Sequence, residues 1–206
     1  MTRSPYGYFA ADDTGDDDGI WGWDPTERVG VCLEPDGSVR EVVIADDWRS
    51  QIAVDELGRW IAASYNSAEA TRADLHRADE TTSSRPELVS VDDARNVPVA
   101  LLLEVFAVQS DYAESYVEAL REPREFRDER GYVTVAAWGS SLGSITLEEQ
   151  WLTAHSGSHV AAVLVEPMNK AIHSGADVAR EMDRRFPAIA EFRQLTTPVS
   201  ATSRRS

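Results

Sequence analysis

The sequence predicts an α+β protein made of two related units, each a β-hairpin followed by a helix, joined into an intramolecular pseudo-dimer. Three observations predict it. Two stretches alternate hydrophobic and polar residues around a turn, each is followed by a tryptophan and then by an apolar stripe at helical spacing, and the two stretches align at a fixed offset. An isolated hairpin buries too little to stand alone, so the units are expected to pair into a larger antiparallel sheet covered by their helices.

Residues 1–27 come first, with seven acids (Asp12, Asp13, Asp16, Asp17, Asp18, Asp24, Glu27) against one base, Arg3. Acids at that density repel one another and stay solvated, so the segment reads as a disordered acidic arm. Tyr6, Tyr8, Phe9, Trp21 and Trp23 lie in it. Two readings stand: a solubilising tail, or a segment whose aromatics dock a partner or cover the protein's own surface.

The first unit spans 28–78. Val29, Val31 and Leu33 alternate on one face of a strand, Glu34-Pro35-Asp36-Gly37 supplies a turn, and Val39 to Ile44 is the return strand. Asp46-Asp47-Trp48 follows, then a helix starting near Asp55 with Leu57, Ile61, Tyr65, Ala68 and Leu75 as its apolar stripe. Residues 79–96 carry Thr81-Thr82-Ser83-Ser84 and Pro86 and read as a linker.

The second unit spans 97–195 and has a leading helix. Its stripe is Val99, Leu102, Leu103, Phe106, Ala113, Val117 and Leu120. From Gly131, Val133 and Val135 alternate, Gly139-Ser140-Ser141 turns the chain, and Leu142, Ile145 and Leu147 return. Glu149-Gln150-Trp151 follows, then a polar break with Ser156 and Ser158 as N-cap candidates, then a helix with Val160, Leu164, Met168, Ala171 and Val178 on one face. Pro167 lies inside that helix and is expected to kink it. Trp48 and Trp151 are 103 residues apart, and the same offset places Asn66 on Asn169 and Ala68 on Ala171. The first strands match only if the two turns differ by one residue. Residues 196–206 read as a loose tail.

A hairpin with Pro-Asp-Gly at its turn, a return strand ending in acid-x-Trp, and a helix carrying hydrophobe-Asn-x-Ala resemble the YbaB/EbfC family. The residues are Pro35-Asp36-Gly37, Asp46-Asp47-Trp48 and Tyr65-Asn66-Ser67-Ala68, and in the second copy Glu149-Gln150-Trp151 and Met168-Asn169-Lys170-Ala171. The resemblance covers roughly 28–78 and 98–183. It implies a small α+β protein that dimerises and binds DNA as a nucleoid-associated protein; related acidic actinobacterial proteins accompany type VII secretion genes. The family's single unit stands here twice, and the first copy lacks its leading helix.

Composition bounds the function. The chain has 206 residues, 42% hydrophobic and 27% charged, enough for a sizeable core. Its net charge is −16, which argues against broad attraction to nucleic acid or anionic lipid but leaves room for a local basic patch. No apolar run approaches the ~18–20 residues of a membrane span, and no secretory leader is visible, so a cytoplasmic protein is expected. A single cysteine, Cys32, excludes an internal disulfide; on the strand face opposite Val31 and Leu33 it reads as a half-buried, inert thiol.

Candidate chemistry is sparse. His155 and His159 stand four apart, but His155 precedes the helix and no acid stands at a ligand spacing, so polar helix-start residues are the simpler reading. Ser140-Ser141-Leu142-Gly143 fits a hairpin turn rather than a nucleophile elbow, and no phosphate-binding glycine loop occurs. No catalytic residue, cofactor or metal is therefore expected. Arg121, Arg124, Arg127 and Arg130 recur at every third position, interleaved with Glu122, Glu125, Asp128 and Glu129. They are either a salt-bridged surface or a phosphate-contacting edge, and are the candidate nucleic-acid contacts. The expected function is a non-enzymatic binding protein, nominally a DNA binder although its charge disfavours DNA. The alternative is a protein-interaction adaptor or chaperone. The chain is expected as a monomeric pseudo-dimer or a homodimer.

Overall fold

Alternating β-branched residues build the first sheet. The computed structural model describes residues 19–82, 97–139 and 141–196. Strands β1 (Ile20–Trp23), β2 (Val29–Leu33) and β3 (Val39–Ile44) pair antiparallel in that order. Val29, Val31 and Leu33 face the core opposite Ile44, Val42 and Val39. The Pro-Asp-Gly turn forms as expected: Gly37 takes φ +88° and donates its N–H to the Glu34 carbonyl at 2.9 Å. Trp48 then opens a one-turn 3-10 helix (Trp48–Ser50) and is wholly buried. Helix α1 (Leu57–Thr82) buries Leu57, Ile61, Tyr65 and Ala68. Leu75 continues the stripe but is 52% exposed, because the helix beyond Ala68 is mostly solvent-exposed.

The second half begins with α2 (Val99–Arg121) and forms β4 (Arg124–Arg127), β5 (Val133–Trp138) and β6 (Ser141–Leu147), again antiparallel in chain order. A short helix α3 (Glu149–Ala154) carries the buried Trp151. Ser156 caps the long helix α4 (Gly157–Arg185), its hydroxyl accepting from the His159 N–H at 3.3 Å. The helix runs through Pro167, which is buried. It stops at Phe186, and Pro187 opens α5 (Pro187–Thr196).

The two sheets share fine detail. Asp24 and Asp128 each open a turn in which the residue three on takes positive φ (Glu27, +55°; Gly131, +75°), and each carboxylate accepts the N–H of a valine five on (Val29, Val133) at 2.7 Å. A register irregularity falls between Cys32 and Leu33 in one sheet and between Ala136 and Ala137 in the other. Leu33 pairs with Val39 and Ala137 with Leu142, so the second hairpin turn is one residue shorter.

The halves exchange helices over a common core. Helix α1 packs on β1 and β2 and crosses to β6; α4 packs on β4 and β5 and crosses to β3. The crossings are close. A Cβ on Gly58 would stand 2.0 Å from the Ile145 carbonyl oxygen, and one on Gly157 would stand 2.4 Å from that of Ile44. The side chain of Asn169 grips the backbone of Val39 twice, accepting its N–H at 2.7 Å and donating to its carbonyl at 2.8 Å. Arg49 donates to the Leu152 and His155 carbonyls. Trp48 and Trp151, Leu57 and Val160, Ile61 and Leu164 belong to one buried cluster. A second, smaller cluster of Val178, Met182 and Phe186 lies against α2 and α5.

Five expectations need correction. The units do not pair into one larger antiparallel sheet: two separate three-stranded sheets form, and the helices α1 and α4, not strand pairing, join them. The arm does not extend to residue 27: Ile20–Trp23 pair with β2, and Asp24 is buried. Residues 1–18 lie outside the described residues, as do 83–96 of the expected linker and 197–206 of the expected tail. Cys32 is not half-buried but fully buried, because the chain at Gly19 and the Arg40 guanidinium cover the outer face of β2. Each unit, expected as a two-stranded hairpin, has a third strand, which in the second unit holds Arg124 and Arg127. Finally, α2 turns most of its expected core stripe outward: Val99, Leu103, Phe106 and Val117 are 45–71% exposed, and Ala113 is exposed too.

Candidate interaction surfaces

The four candidate arginines do not form one edge. Residues three apart line up on a helix but fall on opposite faces of a strand. Arg124 pairs opposite the buried Ala137 and turns toward α4, where its guanidinium meets Glu181 at 3.2 Å. Arg127 pairs opposite Thr134 on the outer face and bridges to Glu125 at 2.9 Å. Arg121 ends α2, where a cation suits the helix dipole. Arg130 sits in the β4–β5 turn, its backbone N–H held by the Asp128 carboxylate at 3.1 Å. Arg180, Arg184, Arg185 and Arg193 form another local set in the sequence; of these, Arg180 pairs with Asp177, and Arg193 meets Asp183 at 2.8 Å and the Tyr112 hydroxyl at 2.9 Å. Of the interleaved acids, Glu125 pairs with the Arg127 guanidinium and Asp128 holds the Arg130 backbone, while Arg124 finds its partner on α4.

Helix α2 presents the largest exposed apolar feature. Leu101, Val105, Val108, Tyr112, Tyr116 and Ala119 form the side that the rest of the chain covers wholly or in part. Tyr112 packs edge-on to Phe186 at 5.5 Å. The opposite side carries Val99 (71% exposed), Leu103 (65%), Phe106 (70%) and Val117 (45%). The first three turns hold one charged residue, Glu104. The signal was in the sequence: Val97–Val108 is apolar on two faces, whereas a helix lying on a core needs only one.

Other features are quieter. Trp21 and Trp23 stack at 5.3 Å on the outer face of the first sheet, and the Trp23 ring lies over Gly30, where a Cβ would stand 2.7 Å from the ring and displace it. Trp21 and Trp23 thus cover their own sheet, while Tyr6, Tyr8 and Phe9 lie outside the described residues. A shallow groove of about 720 Å³ runs beside α4, lined by Phe126, Val165, Glu166, Asn169, Lys170 and His173 among others. Asn169 is committed to Val39 and Lys170 to Glu166, at 2.7 Å. The His155 and His159 rings stack at 4.6 Å beside Trp151, and His155 Nδ1 is 2.8 Å from the Trp151 carbonyl. Among the described residues no group of three or more His, Cys, Asp or Glu is placed to hold a metal. Burial pushes the Tyr65 phenol up to about 12, and the Ser38 hydroxyl and N–H hold the Asp36 carboxyl below its ordinary value.

No described helix is long and apolar enough to cross a membrane. No family model, curated protein or solved structure matches the chain.

Proposed function

We propose that this chain is a non-enzymatic protein-binding protein, of the adaptor or chaperone kind rather than a DNA binder, and that the outward face of α2 is a protein contact, with another protein or with its own copy. The observation that carries the reading is the side on which α2 places its apolar stripe. Contiguous large apolar side chains on a folded surface mark a contact site for another apolar surface. The charge supports the same reading. A polyanion needs several cations on one face to release its counterions. Here Arg124 and Arg127 point to opposite faces of β4, and each stands beside a glutamate, in a chain of net charge −16.

The test is a photo-activated cross-linking residue placed at position 106 or at position 127 of the full chain, irradiated in the living host. Protein adducts at 106 and no nucleic-acid adduct at 127 are expected. Nucleic-acid adducts at 127 with no protein adduct at 106 would reverse the reading in favour of DNA, as the YbaB/EbfC resemblance implies.

A further inference from the structure

We propose that the occupant of the α2 face is a second copy of this chain, with the two α2 helices packed antiparallel about a two-fold axis level with Val108. The proposal rests on the reading of α2 as a protein-binding helix and names its partner.

The outward stripe runs Val99, Leu103, Phe106, Ser110, Ala113, Val117, all exposed. Its steps are four, three, four, three, four, the alternation that keeps a seam of one helix against a partner helix. A two-fold axis at 108 pairs positions whose numbers sum to 216. It sets Val99 against Val117 of the second copy, Leu103 against Ala113, and Phe106 against Ser110. Each large side chain meets a small or β-branched one, so the layers interdigitate instead of colliding. The parallel alternative stacks Phe106 on Phe106 and leaves a void where Ser110 meets Ser110. An isologous two-fold contact also closes on itself, which suits a soluble assembly.

Charge points to the same register. Two chains of −16 repel, so an interface between them must keep acids apart. Under the antiparallel pairing Glu104 stands level with Tyr112, Asp111 with Val105, Glu114 with Leu102 and Glu118 with Pro98. No acid of α2 stands level with another. In the parallel pairing each of the four stands level with its own copy. The seam spans about 27 Å at 1.5 Å per residue and buries less than the roughly 800 Å² per partner of a standard interface. The dimer is therefore weak and concentration-dependent.

Sedimentation velocity of the full chain over roughly two decades of concentration across the micromolar range tests the self-association. A monomer–dimer equilibrium is expected for the wild type, weakened at least roughly 100-fold by Leu103→Asp with Phe106→Asp, both at exposed positions where the fold is untouched. Orientation is read by oxidation. A chain with Phe106→Cys mixed with a chain with Ser110→Cys is expected to form the mixed disulfide dimer, and neither alone to exceed the wild type, whose Cys32 is buried. Homodimeric disulfide from the Phe106→Cys chain alone would overturn the antiparallel arrangement. A wild type that stays monomeric throughout would overturn the second copy as occupant; if position 106 then cross-links a different protein, the protein-binding reading survives, and if it cross-links none, both fall.

Discussion

A buried carboxylate shows what single residues contribute. Asp24 is 2% exposed, and its oxygens accept from the N–H groups of Thr26 (2.9 Å), Arg28 (2.7 Å) and Val29 (2.7 Å) and from the Thr26 hydroxyl. The donors replace the lost water and fix the turn that feeds β1 into β2. Asp24→Ala strands them and is expected to cost about 3 kcal/mol in urea denaturation; a loss below about 1 kcal/mol would mean that water already satisfies the turn. Composition counted Asp24 among solvated acids because net charge is blind to hydrogen bonding. The signal that could have corrected it is Asp-Pro-Thr followed by a β-branched run, an aspartate turn leading into a strand. Glu27 and Gly131 tell the same story: both positions demand positive φ, and only the second carries the residue suited to it.

Elements were legible where one face alone is buried. The α1 and α4 stripes appear as read through Ala68 and Val178, because each helix lies on strands along one side, and α4 beyond Ala171 lies on α2 and α5. Strands β2 and β5 follow from period-two alternation; β3 and β6 were legible as apolar return strands, although a bulge breaks the period in each, between Val39 and Val42 and between Leu142 and Ile145. What failed were short or doubly apolar elements. Strands β1 and β4 have four residues each, too few for a period to show, and sit among charges. Helix α2 has two apolar sides, and periodicity cannot say which of them faces inward. Both tryptophans after the return strands are buried, Trp48 at 0% and Trp151 at 5% exposure, in the core that both halves share. Truncating either to Ala is expected to cost about 3–5 kcal/mol and to lower a single unfolding transition rather than melt one half. Two separated transitions would mean that the helix exchange contributes little.

At the scale of the whole molecule, topology turns two marginal sheets into one body. Each long helix covers its own sheet and one strand of the other, and the tight approaches at Gly58 and Gly157 lock the exchange from both sides. Two similar hairpin-and-helix units were legible from the repeated pattern, but their joining was not: the expected single larger sheet is two separate three-stranded sheets, held together by α1 and α4. The site was not legible either, because it depends on which residues the fold leaves outside. The arginine series looked continuous in the sequence and is divided by the pleat of a four-residue strand; the α2 stripe looked like core and is surface. A field of −16 acts on any ligand that approaches, so a polyanion must be held by local contacts strong enough to overcome it.

The measurement that tests protein rather than DNA as the ligand most directly is a titration of the full chain against random-sequence duplex DNA at about 50 mM and about 200 mM salt. The expected result is no binding at either concentration, identical for the wild type and for Arg124→Ala with Arg127→Ala and Arg130→Ala. Binding at the lower salt that is lost at the higher and weakened by the three substitutions would contradict the account and return the arginines to a phosphate-contacting role.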